Sequence, residues 1–135
     1  MTQDRRHVGG YSPWEEQYGF TRAVAIGDFV FVSGCTAWDD GTVRFEGSPY
    51  DQAVAAFGVA LDALSRFGLG KADVVRTRLY VTHARDTDEV GRAHRDILGE
   101  VRPACTMVVI NALVDSRMSV AVEVDAYKKN LELSP

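Results

Sequence analysis

Residues 72–110 read ADVVRTRLYVTHARDTDEVGRAHRDILGEVRPACTMVVI, and the period of their apolar residues changes twice. Over residues 74–82 the period is two. Val75, Thr77, Leu79 and Val81 point one way and Arg76, Arg78, Tyr80 and Thr82 the other, which is the pattern of a strand. Asp86 and Glu89 then open a helix. Val90, Ala93, Ile97 and Leu98 form its apolar stripe, and Gly99 ends it. Residues 105–110 return to a strand. Strand, helix and strand in a row predict a sheet with a helix laid across it.

Upstream, Ser48-Pro49-Tyr50-Asp51 is a second helix start: Ser48 as amide cap, Pro49 at the first helical position, Asp51 at the positive end. Val54, Phe57, Leu61 and Leu64 fall on one face, flanked by Ala53, Ala56, Ala60 and Phe67, and Gly68 terminates the run. Residues 22–26 and 29–33 read as strands around the two-residue turn Gly27-Asp28. Asp39-Asp40-Gly41 marks a further turn. The stretch through Tyr18, with Gly9-Gly10 and Ser12-Pro13, reads as loop with one short edge strand. Downstream, residues 118–127 alternate again, with Val120, Val122 and Val124 inward and Ala121, Glu123 and Asp125 opposite. The order predicts an α+β sandwich in which one sheet carries two helices on one face. The other face, with Arg76, Arg78, Tyr80, Ala121, Glu123 and Asp125, is either solvated or buried against another subunit.

The chain has 135 residues, 46% hydrophobic and 25% charged, which suits one globular domain over residues 1–135. One small core leaves little room for a deep internal cavity, so a pocket between subunits is the easier construction. The net charge of −4 offers no global basic surface, so no nucleic acid is expected as partner. Cys35 and Cys105 have no metal-type spacing and read as free thiols of a reducing compartment. The polar start MTQDRRHVGG lacks a secretion signal, and no apolar run is long enough for a membrane helix. A cytoplasmic protein with no membrane partner is expected. No His/Asp/Glu cluster has metal-ligand spacing, and no glycine motif would cradle a phosphate, so neither metal nor cofactor is expected.

Four segments resemble the Rid/YjgF family of reactive imine/enamine deaminases: GFTRAVAIGDFVFVSG (19–34), GKADVVRTRLYVT (70–82), RPACTMVVI (102–110) and VAVEVDA (120–126). Their order and spacing are more specific than any one of them. The resemblance implies a chorismate-mutase-like fold, a homotrimer, and pockets at the subunit interfaces that bind small molecules. It also implies where the site has changed. The family's carboxylate-binding arginine falls on Cys105, its pocket tyrosine on Phe20, and its pocket-lining helical asparagine on Gly91. The SGQ triplet becomes Ser33-Gly34-Cys35. Glu123 is retained, as is the backbone around Cys105, Thr106 and Met107. The sequence thus resembles a divergent branch without the signature arginine.

Imine hydrolysis needs a placed water, a group to handle its proton, and a substrate held in register. Glu123, out of phase with its valine neighbours, is the candidate acid/base, and burial by a second subunit would raise its pKa toward a useful range. Its alternative is a cross-strand ion pair with Arg76 or Arg78. A guanidinium holds a carboxylate far better than the thiol of Cys105. Usual 2-imino acids should therefore bind poorly unless another cation, with Arg102 nearest, takes over. The alternative for Arg102, and the more ordinary one, is half of a surface or inter-subunit ion pair. Cys105 widens the pocket or, given a base, acts as nucleophile. Cys35 lines the same pocket or packs.

His94, at the edge of a helical stripe, is the second catalytic candidate, as a proton shuttle, or else a core-edge histidine with one hydrogen bond. Trp14, Tyr18 and Phe20 either lid an apolar pocket or anchor the N-terminal loop. His7 and His83 read as surface residues. The expected function is a cofactor-independent deamination of an imine or enamine, or a related dehydration or cyclisation. The alternative is a non-catalytic trimeric module that binds small ligands or acts like a chaperone. A ribonuclease reading, attached to some relatives, is opposed by the acidic balance.

Overall fold

The structure, a computed structural model, describes residues 5–131. The expectations about residues 1–4 of the polar N-terminal segment, and the ends of the single domain over 1–135, lie outside the described residues. Eight strands and three helices follow in the order β1 Arg5–Val8, α1 Trp14–Tyr18, β2 Ala23–Ile26, β3 Phe29–Cys35, β4 Trp38–Asp39, β5 Thr42–Val43, α2 Pro49–Ser65, β6 Val74–Val81, α3 Thr87–Leu98, β7 Ala104–Val109 and β8 Val120–Tyr127. Six strands form one sheet in the order β1-β2-β3-β8-β6-β7. All neighbours in it are antiparallel except β6 and β7, which run parallel with α3 as the crossover. The mixed α+β fold expected from the sequence is the fold found.

The Gly27-Asp28 turn joins β2 to β3 with Ile26 opposite Phe29, and Gly27 takes φ +57°, a left-handed conformation that glycine adopts without a Cβ clash. The Asp39–Gly41 turn closes the β4–β5 hairpin. The last strand of the chain, β8, inserts between β3 and β6. Its Val120, Val122, Val124 and Ala126 are fully buried under α2, which also packs against α3. Thr77, Leu79 and Val81 of β6 continue that buried face.

Four local expectations change. In α2 the buried stripe is Ala53, Ala56, Phe57, Ala60, Ala63 and Leu64, while Val54 is 38% exposed and Leu61 half-buried. Alanines let the helix backbone approach the sheet closely, which a ranking by hydrophobicity overlooks. In β6 the pairing skips Val75 between Val74 and Arg76, so this valine bulges out and is exposed, and Val74 takes the core position. Ser48 caps no amide; its hydroxyl donates to Asp51 Oδ2 at 2.8 Å. Residues 14–18, expected as loop, form α1, which ends where Gly19 turns left-handed at φ +78° and donates its amide to Glu15 O. The edge strand expected in this stretch is β1.

Candidate functional site

Two groups of chemically active side chains lie on this scaffold, apart from Glu123 and its cross-strand partners. The first surrounds a cavity of about 330 Å³ beneath α1, lined among others by Gly10, Trp14, Phe20, Arg22, Gly34 and Trp38. Its shape comes from a bulge. Pairing of β3 with β8 jumps between Val32 and Cys35, so the chain swings outward at Ser33-Gly34. Trp14 meets Trp38 edge-on at 4.8 Å between centroids and pins α1 over the opening. Trp14, Tyr18 and Phe20 all line the pocket, and Trp14 also anchors the segment.

Arg22 is the polar centre of this cavity. Its Nη1 donates to Gly34 O at 2.8 Å and to Cys35 Sγ at 3.3 Å, and its Nη2 lies 3.7 Å from Glu15 Oε2. Glu15 is itself buried and accepts the Gly10 amide at 2.8 Å. Ser33 Oγ donates to Thr21 O at 2.7 Å. Cys35 corrects an expectation. The bulge turns it into the helix-side core, where it is fully buried and packs, rather than lining the pocket. Burial pushes its thiol up to about 11, only partly opposed by Arg22, so it is held protonated.

Glu123 lies on the opposite face of the sheet, one-third exposed. Its Oε1 accepts the Tyr80 hydroxyl at 2.9 Å, and Arg78 Nη1 stands 3.8 Å away while lying 3.2 Å from Asp125. The cross-strand partner expected as an alternative is thus present, and it is Arg78. Burial, then the bond to Glu123, pushes the Tyr80 phenol up, so Tyr80 remains a donor through the neutral range.

The second group sits where α3 crosses the edge strand β7. A Cβ placed on Gly91 would lie 3.8 Å from Met107 Cε, so these two adjoin. Cys105 is exposed and pairs in register with Thr77, and Thr106 beside it faces the other way, opposite Arg78. His94 Nε2 lies 2.8 Å from Thr77 Oγ1, and its ring meets Phe57 edge-on. Burial lowers its pKa, which favours the neutral ring. This is the geometry of a core-edge histidine with one hydrogen bond. Arg102 is exposed, in a left-handed conformation, on an open groove that also includes His94.

One chain brings Gly91, His94, Cys105 and Met107 together, and separately Phe20, Ser33 and Gly34. It does not bring His94 to Glu123, since the sheet lies between them. Among the described residues no group of three His, Cys, Asp or Glu side chains could hold a metal ion, and no helix is long and apolar enough to cross a membrane. Sequence reasoning passed over Arg22, Glu15, Trp38 and the part played by Tyr80. A signal for Arg22 was there. In the family's PYSQAV segment a glutamine stands where this chain has Arg22, two residues past the aromatic at Phe20.

A family model described as Endoribonuclease L-PSP matches residues 14–128. A Streptomyces coelicolor protein, uncharacterized protein SCO2049, is 50% identical over 123 residues, 91% of this chain and 92% of that one. The crystal structure of Rv2704 from Mycobacterium tuberculosis, a member of the YjgF/YER057c/UK114 family, is 37% identical. It superposes with a TM-score of 0.83 over 93% of this chain and 100% of its own. RidA from an Antarctic Psychrobacter, 24% identical, has a TM-score of 0.74 over 82% of this chain and 89% of its own, and supports the fold alone.

Proposed function

The chain belongs to the Endoribonuclease L-PSP family, the YjgF type, and on that premise we propose that it is a cofactor-independent enzyme acting on a reactive imine or enamine. The pocket is completed by a neighbouring subunit of a cytoplasmic homotrimer. The observation that carries this reading is Glu123 on the open face, its Oε1 accepting the Tyr80 hydroxyl. A carboxylate oriented by one donor, yet reachable, suits the transfer of a proton from water.

In the proposed step Glu123 takes a proton from water as the water oxygen bonds to the imine carbon. The C=N electron pair passes to nitrogen, to which Glu123 gives that proton, leaving a neutral carbinolamine. Glu123 then takes the hydroxyl proton and passes it to the departing nitrogen as the C–N bond breaks and the carbonyl forms, so ammonia leaves and Glu123 ends as the carboxylate. An enamine enters the same route after protonation at carbon to the iminium. Thr106 and the backbone of β7 would orient the substrate, and Gly91, Cys105 and Met107 of the neighbouring subunit would shape its far wall. With a thiol at Cys105, the substrate carries no carboxylate at that wall. Dehydration or cyclisation would use the same proton transfers. The aromatic cluster Phe29, Phe31 and Tyr127, each about two-fifths exposed on that face, supports burial against a second copy.

The second reading is a non-catalytic trimeric ligand-binding or chaperone-like module. It is favoured by Arg78, which ties Glu123 and Asp125 across strands. One experiment separates the two. Ammonia release is followed with 2-iminopropionate and a panel of enamines, for wild type, Glu123→Gln and Tyr80→Phe, with nuclease-free RNA as a further substrate. The proposal expects enamine turnover, at least a hundredfold loss in Glu123→Gln and about tenfold in Tyr80→Phe. Unchanged turnover in Glu123→Gln removes that residue from the mechanism. Binding without turnover supports the module, and RNA cleavage replaces both.

A further inference from the structure

Glu123 is held in register from one side of its strand. In the ladder between β3 and β8, Val32 pairs with Val124 and Cys35 with Val122, so Glu123 lies opposite the bulge at Ser33-Gly34. The carbonyl of Gly34 accepts from Arg22 Nη1 at 2.8 Å. The regular partner of Glu123 is Arg78 of β6. Among the described residues β3 pairs with nothing before Val122, so Val120 and Ala121 have a partner strand on the β6 side alone. The start of β8 is fixed by a side chain instead. Gln52 of α2 is fully buried. Its Oε1 accepts from Ser119 N at 2.9 Å and from Ser119 Oγ at 3.0 Å. Its Nε2 donates to Arg117 O at 2.9 Å and to Phe45 O at 3.4 Å. An amide side chain has two acceptor sites and two donor hydrogens, and all four are used. Ser119 O also accepts from Thr82 N at 3.1 Å, so α2 and the end of β6 both grip the residue before β8. Ahead of it Asp115 closes the loop, accepting from Arg117 N, Nε and Nη2 at 2.9, 2.9 and 2.8 Å.

A buried amide demands directed partners where an aliphatic side chain of its size would simply pack. What the amide adds is direction. A strand displaced by one residue presents its opposite set of side chains to each face. Such a slip would turn Glu123 toward α2 and expose Val122 and Val124. We propose that Gln52 is a positioning residue for the reaction: its side-chain amide fixes the residue at which β8 begins and so keeps Glu123 on the open face beside Tyr80. The inference rests on the enzymatic reading above. Gln52 belongs to α2, on the far side of the sheet from the open face. It therefore acts through Ser119 and the strand that follows, and not on the substrate.

Gln52→Glu in the full-length protein tests this, because the new side chain has the same shape and changes its hydrogen bonding with pH. Protonated, it donates one hydrogen to Arg117 O and accepts from Ser119, as the amide does. Ionised, it only accepts and confronts the Arg117 carbonyl. Burial raises the pKa of such a carboxyl, to about 8–9 in extreme cases, so both forms fall within a workable range. The charged groups along the groove outside would not hold the anion. Arg117 is committed to Asp115, His83 and Arg85 stand by Asp86, and Glu46 and Glu89 are acids. Turnover of the enamine panel is measured from about pH 5.5 to 8.5, each value divided by that of wild type at the same pH and counted per folded chain from urea titrations. The expected result is kcat within about twofold of wild type at the acid end and at least roughly tenfold lower at the basic end, with KM changed less than about twofold. Gln52→Leu should lower kcat at every pH with no recovery in acid. Hydrogen exchange read by mass spectrometry needs no turnover. At the basic end residues 118–125 of Gln52→Glu should exchange at least about tenfold faster than in wild type, while the β2–β3 hairpin stays as protected. Glu123→Gln should keep the wild-type exchange pattern.

A ratio of kcat values that does not vary with pH in Gln52→Glu overturns the proposal. So does a loss of protection spread evenly over the sheet with kcat per folded chain unchanged, since Gln52 would then serve stability alone. If wild type turns over no enamine, the enzymatic reading fails by itself. Local loss of protection over residues 118–125 would then still support Gln52 as the anchor of β8, and its absence would overturn that as well.

Discussion

The two faces of β8 are built from alternate residues of one eight-residue strand, yet they obey different rules. Val120, Val122 and Val124 meet α2 and are wholly buried; Glu123 and Asp125 stand between them and look out, bound to Tyr80 and Arg78 of β6. On the helix side the requirement is close packing, and almost any polar group there needs a dedicated partner, as Thr77 has in His94. On the open side charge, aromatic surface and partial exposure coexist, because water still solvates what the protein leaves unpaired. The lesson is that this sheet separates stability from chemistry by the pleat alone. The bulge at Ser33-Gly34 is the place where that separation fails, and the cavity opens there.

The largest effect belongs on the helix side. Phe57→Ala removes a fully buried ring between the sheet and α3, and should lower unfolding free energy by about 3–5 kcal/mol in a urea titration. A loss below about 1 kcal/mol would break the contrast at its root. Next comes association through the open side. Phe31→Asp places a charge in the exposed aromatic cluster and should convert the proposed trimer to smaller species in analytical ultracentrifugation. Denaturant stability of the dissociated chain should change by less than about 1 kcal/mol, as for a surface substitution. An intact trimer would place the interface elsewhere.

The cysteines sharpen the comparison within the sheet. Alkylation of the native protein with iodoacetamide should modify Cys105, which is exposed, while Cys35, buried and pushed up to about 11, reacts only after unfolding. Mass spectrometry of the digested protein reads this directly, and early labelling of Cys35 would contradict its place in the core. The smallest effect is a pH dependence. Burial holds His94 below its ordinary value of 6.5, so the folded chain binds fewer protons than the unfolded one in that window. The stabilisation this represents is complete above the ordinary value and is lost as pH falls through the lower, folded value. His94→Gln, which keeps an acceptor for Thr77, should flatten that acid limb in thermal melts. An unchanged limb would assign it to other groups.

The strands and helices were legible because their signals are local. Alternation marked β6 and β8, Gly27-Asp28 the hairpin, and Ser48-Pro49 the start of the long helix, which ends at Ser65, three residues before Gly68. Errors arose where a local pattern met a tertiary constraint. Val54 is more apolar than Ala53, but only the alanine lets α2 lie close to the sheet. Val75 fits the alternation and is expelled by a bulge that pairing with β8 imposes. The site was legible in part. Phe20 and Gly34 do line a cavity, and Glu123 does face away from the core with Arg78 beside it. Glu15 and Trp38 went unread because no spacing links them to Arg22, whose own signal lay in the segment that carries the resemblance. They lie seven and sixteen residues from their nearest neighbour in that set.

What the amino-acid order determined by itself was a run of elements and, for each strand, which residues share a face, since the pleat and the helical turn are properties of the backbone. Which strands become neighbours was decided in three dimensions, where β8 enters between β3 and β6 and buries its valines more completely than any edge position would. The same step placed Arg22 against Gly34 and Trp38 against Trp14. Desolvation is a collective property of everything packed around a group. That is why Arg22 Nε and Trp38 Nε1, two buried donors without an acceptor among the described residues, could be read only from the folded chain.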